Sequence, residues 1–138
     1  MVFKQLLIIF IIIVVGGLYF IGGSEAVSEK IEAYAVEKHD EEGVQKARLF
    51  NIKYMYWTGK RDRALEYAND YLKKYDEPWK RQQRPGVDEA FFLKAKIIDS
   101  LMRPREAAKL FQEYCERFPE GKKIDEAKQK VAEYKMYL

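Results

Sequence analysis

The stretch Val87 to Pro119, VDEAFFLKAKIIDSLMRPREAAKLFQEYCERFP, carries two helical patterns in succession with a proline between them. In the first, Ala90, Phe91, Lys94, Ala95, Ile98 and Leu101 recur at spacings of three and four, one apolar helical face interrupted only by a lysine stem. Pro104 stands where a second helix begins, a position in which its missing N–H costs nothing. Ala107, Ala108, Phe111, Tyr114, Cys115 and Phe118 repeat the pattern, and Pro119 ends it. Two short amphipathic helices joined by a tight turn must pack on each other and on neighbours.

These residues resemble the tetratricopeptide repeat, a helix–turn–helix of about 34 residues with small residues at the helix crossings and a proline after the second helix. Ala95, Ala107, Phe111 and Pro119 fall at marked positions, whereas Phe91 replaces the usual tryptophan and Tyr114 a usual alanine. Phe111 to Pro119, FQEYCERFP, followed by a helix over Ile124 to Tyr134, is similar to the bacterial-envelope form of the repeat found in outer-membrane assembly lipoproteins.

The chain also matches itself. At an offset of 43 residues Ala47 meets Ala90, Ala64 meets Ala107, Tyr71 meets Tyr114 and Tyr75 meets Phe118 without a gap. The helical pair from Val44 to Tyr75 therefore reads as a diverged first copy, and Asp76 to Gly86, DEPWKRQQRPG, as an insertion. In the first copy Ile52 replaces a small residue and Ala68 a bulky one, so its inter-helix packing is expected to differ.

With 138 residues the chain allows one domain, and 34% charged residues beside 14% aromatics argues against disorder. A formal net charge of +3 is too small to make nucleic acid the main partner. Cys115 lies on an apolar helical face and reads as a structural thiol.

Residues 1–23 form a different kind of segment, with no charged or strongly polar side chain from Leu6 to Ile21. The run is close in length to the hydrocarbon thickness of a bilayer and reads as a membrane helix or a signal peptide. Ser24-Glu25-Ala26 offers a small-x-small cleavage site, while the length of the run favours a retained anchor. Lys4 before the run, with Glu25 and Glu29 after it, places the amino terminus inside and the carboxyl domain outside, in a bacterium the periplasm. No lipobox cysteine stands near the start.

After Gly22-Gly23, Ser24 or Ser28 caps a helix to about Lys38, and His39 follows in a polar turn without a recognised ligand set. Phe50, Tyr54, Tyr56 and Trp57 spread aromatics over several faces of the next helix. The last helix, Ile124 to Leu138, carries a narrow stripe of Ile124, Ala127, Val131, Tyr134 and Leu138 and reads as the cap of the stack. The expected architecture is all-α: one transmembrane helix over residues 1–23, then a TPR-like helical-hairpin domain of about six helices over 24–138, with repeats near 44–77 and 87–120 and flanking helices 24–39 and 124–138.

No histidine beside a nucleophile, phosphate loop, metal-ligand set or distinctive carboxylate pair marks a catalytic centre, so a non-enzyme without cofactor is expected. Two functional classes fit: a membrane-anchored scaffold, assembly factor or accessory subunit of a membrane or envelope complex, and a receptor that captures peptides in a concave groove. In the family the first helix of each repeat lines that groove, so the resemblance points to Leu49, Lys53 and Tyr56 in the first copy and to Phe92, Lys96 and Asp99 in the second. Trp79, Lys80, Arg81 and Arg84 in the insertion suit docking to an acidic partner or anionic headgroups, or else Trp79 folds back over the helix ends. The partners are expected to be protein and, through residues 1–23, the membrane, and a chain with only two recognisable copies is expected to be of modest stability.

Overall fold

The structure, a computed structural model, describes residues 2–38 and 40–138, the side chains of residues 18–25 and 27 excepted. It is all-helical, with no strand among the described residues. The elements are α1 (Val2–Glu37), α2 (Glu41–Trp57), α3 (Arg61–Tyr75), α4 (Val87–Ser100), α5 (Pro104–Arg117), α6 (Ile124–Glu133) and a closing 3-10 turn, Lys135–Tyr137. Each helix packs on the next, and α4 also touches α2, so α4 lies in the middle of the stack.

Two expectations for the amino-terminal part are corrected. Among the described residues no helix is long and apolar enough to cross a membrane. The single-pass anchor over residues 1–23, with its periplasmic carboxyl domain, is therefore not supported. Nor is there a separate helix over 24–39, because α1 continues through Gly22 and Gly23. A mid-helix glycine costs only about 1 kcal/mol, which a long helix absorbs. Ser28 is accordingly no cap but a fully buried residue inside α1, with its carbonyl accepting from Asn51 Nδ2 at 3.1 Å. One turn further along, Glu32 pairs with Arg48 at 2.8 Å, so α1 runs antiparallel to α2. His39 and Met1 lie outside the described residues.

The two hairpins α2–α3 and α4–α5 close with the same bonds at the 43-residue offset. Lys60 N donates to Met55 O at 3.0 Å, and Arg103 N to Ile98 O at 3.3 Å; Gly59 N donates to Tyr56 O at 3.2 Å, and Met102 N to Asp99 O at 3.0 Å. This is the Schellman closure, and it demands a left-handed residue at its corner. Gly59 takes φ +80° without penalty, whereas Met102 is held at φ +61°, a conformation that costs an L side chain about 1 kcal/mol.

The eight positions paired by the offset, from Ala47 and Ala90 to Tyr75 and Phe118, are all buried. So are Ile52, Ala68, Ala95 and Phe111. The first copy places bulk on its first helix (Ile52) and a small residue on its second (Ala68); the second copy reverses this with Ala95 and Phe111. The bulky side chain changes sides of the interface, which is how a close-packed core accommodates divergence.

A tyrosine on the second helix of each hairpin reaches beneath the chain as it enters the next helix. Tyr71 Oη accepts from Gln45 Nε2 at 2.8 Å under Gly86, the left-handed residue (φ +94°) that opens α4. Tyr114 Oη accepts from Lys123 N at 3.2 Å, at the start of α6, beside Gly121. Burial pushes both phenols above their ordinary pKa, against the lowering effect of these hydrogen bonds.

The last helix is shorter than its stripe suggests. α6 ends at Glu133; Ala127 is buried, Ile124, Val131 and Tyr134 are half-buried, and Leu138 is exposed beyond the 3-10 turn.

Candidate interaction surfaces

The first helices of successive hairpins lie side by side, and the side chains expected to line a concave groove meet there. Lys53 of α2 pairs with Glu89 of α4 at 2.6 Å, and Lys96 of α4 with Glu126 of α6 at 3.7 Å. Lys96 Nζ also lies 5.9 Å from the ring centroids of Tyr56 and Phe92, within cation–π range. Asp99 accepts from Tyr134 Oη and pairs with Lys130 at 3.4 Å. The Asp99 contact holds the Tyr134 phenol above its usual pKa. These contacts tie α2, α4 and α6 laterally, so Lys53, Lys96 and Asp99 already have partners within the chain.

Phe92 is not on an open surface. At 1% exposure it packs its ring on Phe111 (centroids 5.6 Å apart) and edge-on to Tyr114 (5.4 Å). The cause is the central place of α4, which buries Val87, Ala90, Phe91, Phe92, Ala95, Ile97 and Ile98 and so has no single apolar face. Leu49 is half-buried beside a hollow of about 360 Å³ that Gln45, Tyr71 and Pro85 also line.

The insertion between α3 and α4 is clasped internally and pinned at both ends. Glu77 N donates to Gln83 Oε1 at 3.1 Å, and Gln83 Nε2 donates to the carbonyls of Glu77 and Lys80. Asp76, at its start, receives both arms of Arg117 from α5, at 2.6 and 3.0 Å. The pairing with Asp76 raises the Arg117 pKa against the opposing effect of burial. At its other end Gln45 Nε2 donates to Pro85 O at 2.8 Å. Lys80 pairs with Glu77 at 2.8 Å, and Arg84 approaches the same carboxylate at 3.9 Å while lying 5.8 Å from the Tyr75 ring centroid. Trp79 does not fold back: it is 77% exposed. Arg81 is exposed on the rim of a hollow of about 650 Å³ between the loop and the α5–α6 turn.

Among the described residues no group of three or more His, Cys, Asp or Glu side chains comes together to hold a metal ion. Cys115 is half-buried, and burial raises its thiol pKa, which disfavours the reactive thiolate.

No protein-family model and no curated protein matches the chain.

Proposed function

We propose that this chain is a non-catalytic protein–protein interaction module built of TPR-like helical hairpins, acting as a scaffold, assembly factor or accessory subunit of a protein complex. The observation that carries the reading is Trp79, an indole kept in water at the tip of a loop clasped by Gln83 and tied down by Arg117 and Gln45. Large aromatics displayed on a fixed backbone, with arginines beside them, are the usual anchors of protein interfaces. The bond-for-bond match of the two hairpin turns supports the repeat reading. The lateral pairing of Lys53, Lys96 and Asp99 weighs against a free groove that captures many peptides and favours display on loops and edges.

The test is copurification with tagged full-length chain. A partner at constant stoichiometry is expected, lost when Trp79→Ala and Arg81→Glu are combined while thermal unfolding is unchanged. A set of weakly bound, exchangeable peptides that ignores this double change would replace the reading by the receptor.

A further inference from the structure

Each hairpin turn and the chain after α6 present large apolar side chains to water at the same end of the stack. Trp57 is 68% exposed at the last residue of α2, Met102 86% at the α4–α5 turn and Met136 82% in the closing 3-10 turn. The three turns form one edge. Arg61 donates to Ser100 O at 3.4 Å between the first and second, and Arg103, Pro104 and Tyr137 line one shallow hollow between the second and third.

Met102 is the telling residue. The equivalent corner of the first hairpin is Gly59, and glycine would close the second turn without strain. A methionine held left-handed and almost fully in water gains nothing for the fold, and such outliers belong where the side chain is used. Methionine also adapts its shape to apolar partners. Around these tips Lys60, Arg61, Arg105 and Lys135 are exposed beside the exposed Asp62, while Glu106 is taken by Arg103 at 3.2 Å and Glu133 by Lys130 at 3.6 Å. The edge is therefore apolar at its tips and cationic between them.

We propose that this edge docks an acidic amphipathic helix of a partner protein, its apolar side chains on Trp57, Met102 and Met136 and its carboxylates on Lys60, Arg61 and Arg105. Residues seven apart on a helix lie on one face about 10.5 Å apart, so a single helix offers a row of apolar side chains to tips that follow one another along an edge. α1 runs antiparallel to α2 and continues past this edge, where residues 2–15 expose further apolar surface to a helix seated there.

The proposal rests on the interaction-module reading and deepens it. The test uses the full chain carrying Trp79→Phe, which leaves Trp57 as the sole tryptophan. The probe is a synthetic helical peptide with Leu at every seventh position and Glu between, compared with the same peptide carrying Lys for Glu. The acidic peptide is expected to shift Trp57 emission to the blue and the lysine peptide to leave it unchanged. Met102→Gly should weaken binding about tenfold while the melting temperature holds or rises, because the turn relaxes. Binding that is equal in Met102→Gly, absent for the acidic peptide, or replaced by a blue shift only with anionic phospholipid vesicles overturns the proposal. If the stoichiometric partner still requires Trp79 and Arg81 in those cases, the interaction-module reading stands without the edge.

Discussion

Arg117 grips both carboxylate oxygens of Asp76 from 41 residues away, at 2.6 and 3.0 Å, and stacks its guanidinium over the rings of Phe91 and Phe118 at 5.2 and 5.1 Å. One side chain thereby joins the end of α3, the core face of α4 and the end of α5. Both partners are mostly buried, so the geometry outweighs the ordinary surface ion pair.

Arg117→Met is expected to lower stability by about 2 kcal/mol, because the Asp76 carboxylate loses both donors in a half-dry setting. Arg117→Lys should recover little of this, since a point charge neither forks nor stacks. Denaturant midpoints of the three proteins check both statements; a lysine variant equal to wild type would reduce the pair to simple charge.

The crowding between each buried tyrosine and its glycine sets up a rescue test. A Cβ on Gly121 would run into the Tyr114 hydroxyl, and one on Gly86 would stand 2.8 Å from that of Tyr71 at a backbone angle of φ +94°. Gly121→Ala should cost about 1–3 kcal/mol, the range of an overpacked site. Adding Tyr114→Phe should restore part of that loss, measured as a double-mutant cycle. The matching change Tyr71→Phe should rescue Gly86→Ala less, because the positive φ persists.

Alkaline pH should loosen the stack. Burial raises the pKa of Tyr71 and Tyr114, and a phenol whose folded pKa exceeds its unfolded value contributes fully below the unfolded pKa, about 10. That contribution is lost as pH rises through the folded value. Stability should thus hold to about pH 10 and then fall, by up to about 1.4 kcal/mol per pH unit for each group. Replacing both by phenylalanine should flatten the decline in urea titrations; an unchanged slope would assign it elsewhere.

The reversed bulk of the two copies predicts a compensated swap. Ile52→Ala should cost about 3 kcal/mol and Ala68→Leu about 1–3 kcal/mol separately. Together they should cost clearly less than their sum, since one change vacates volume in the core that the other fills. Strict additivity in chemical denaturation would show that the two positions do not share a packing site.

The hairpins were legible in the sequence because Ala47, Ala64, Ala90 and Ala107 with their aromatic companions recur at helical spacing, and burial of all of them follows. The insertion Asp76–Gly86 was legible from the length of the 43-residue offset and from prolines and a glycine in a polar run. Other features lie in tertiary relations that spacing does not encode. Gly22-Gly23 looks like a boundary, yet α1 passes through it; Phe92 looks like one side of an amphipathic helix, yet α4 is covered on more than one side. Met102 carries no turn signature at all, and only its offset from Gly59 marks it as a corner. The Asp76–Arg117 clamp joins two residues with nothing in their neighbourhoods to announce it.

The tyrosine hydroxyls under Gly86 and Gly121 act as fixed gauges for the height at which the chain re-enters the stack. They do so across connections of very different length, eleven residues between α3 and α4 and six between α5 and α6. Where the chain departs and where it returns are both held, and Gln83 clasps the backbone between them, so the side chains displayed there are at liberty to change. Residues 78–82 thus amount to an exchangeable cassette: new sequence grafted there would alter what the protein meets without altering how it stands.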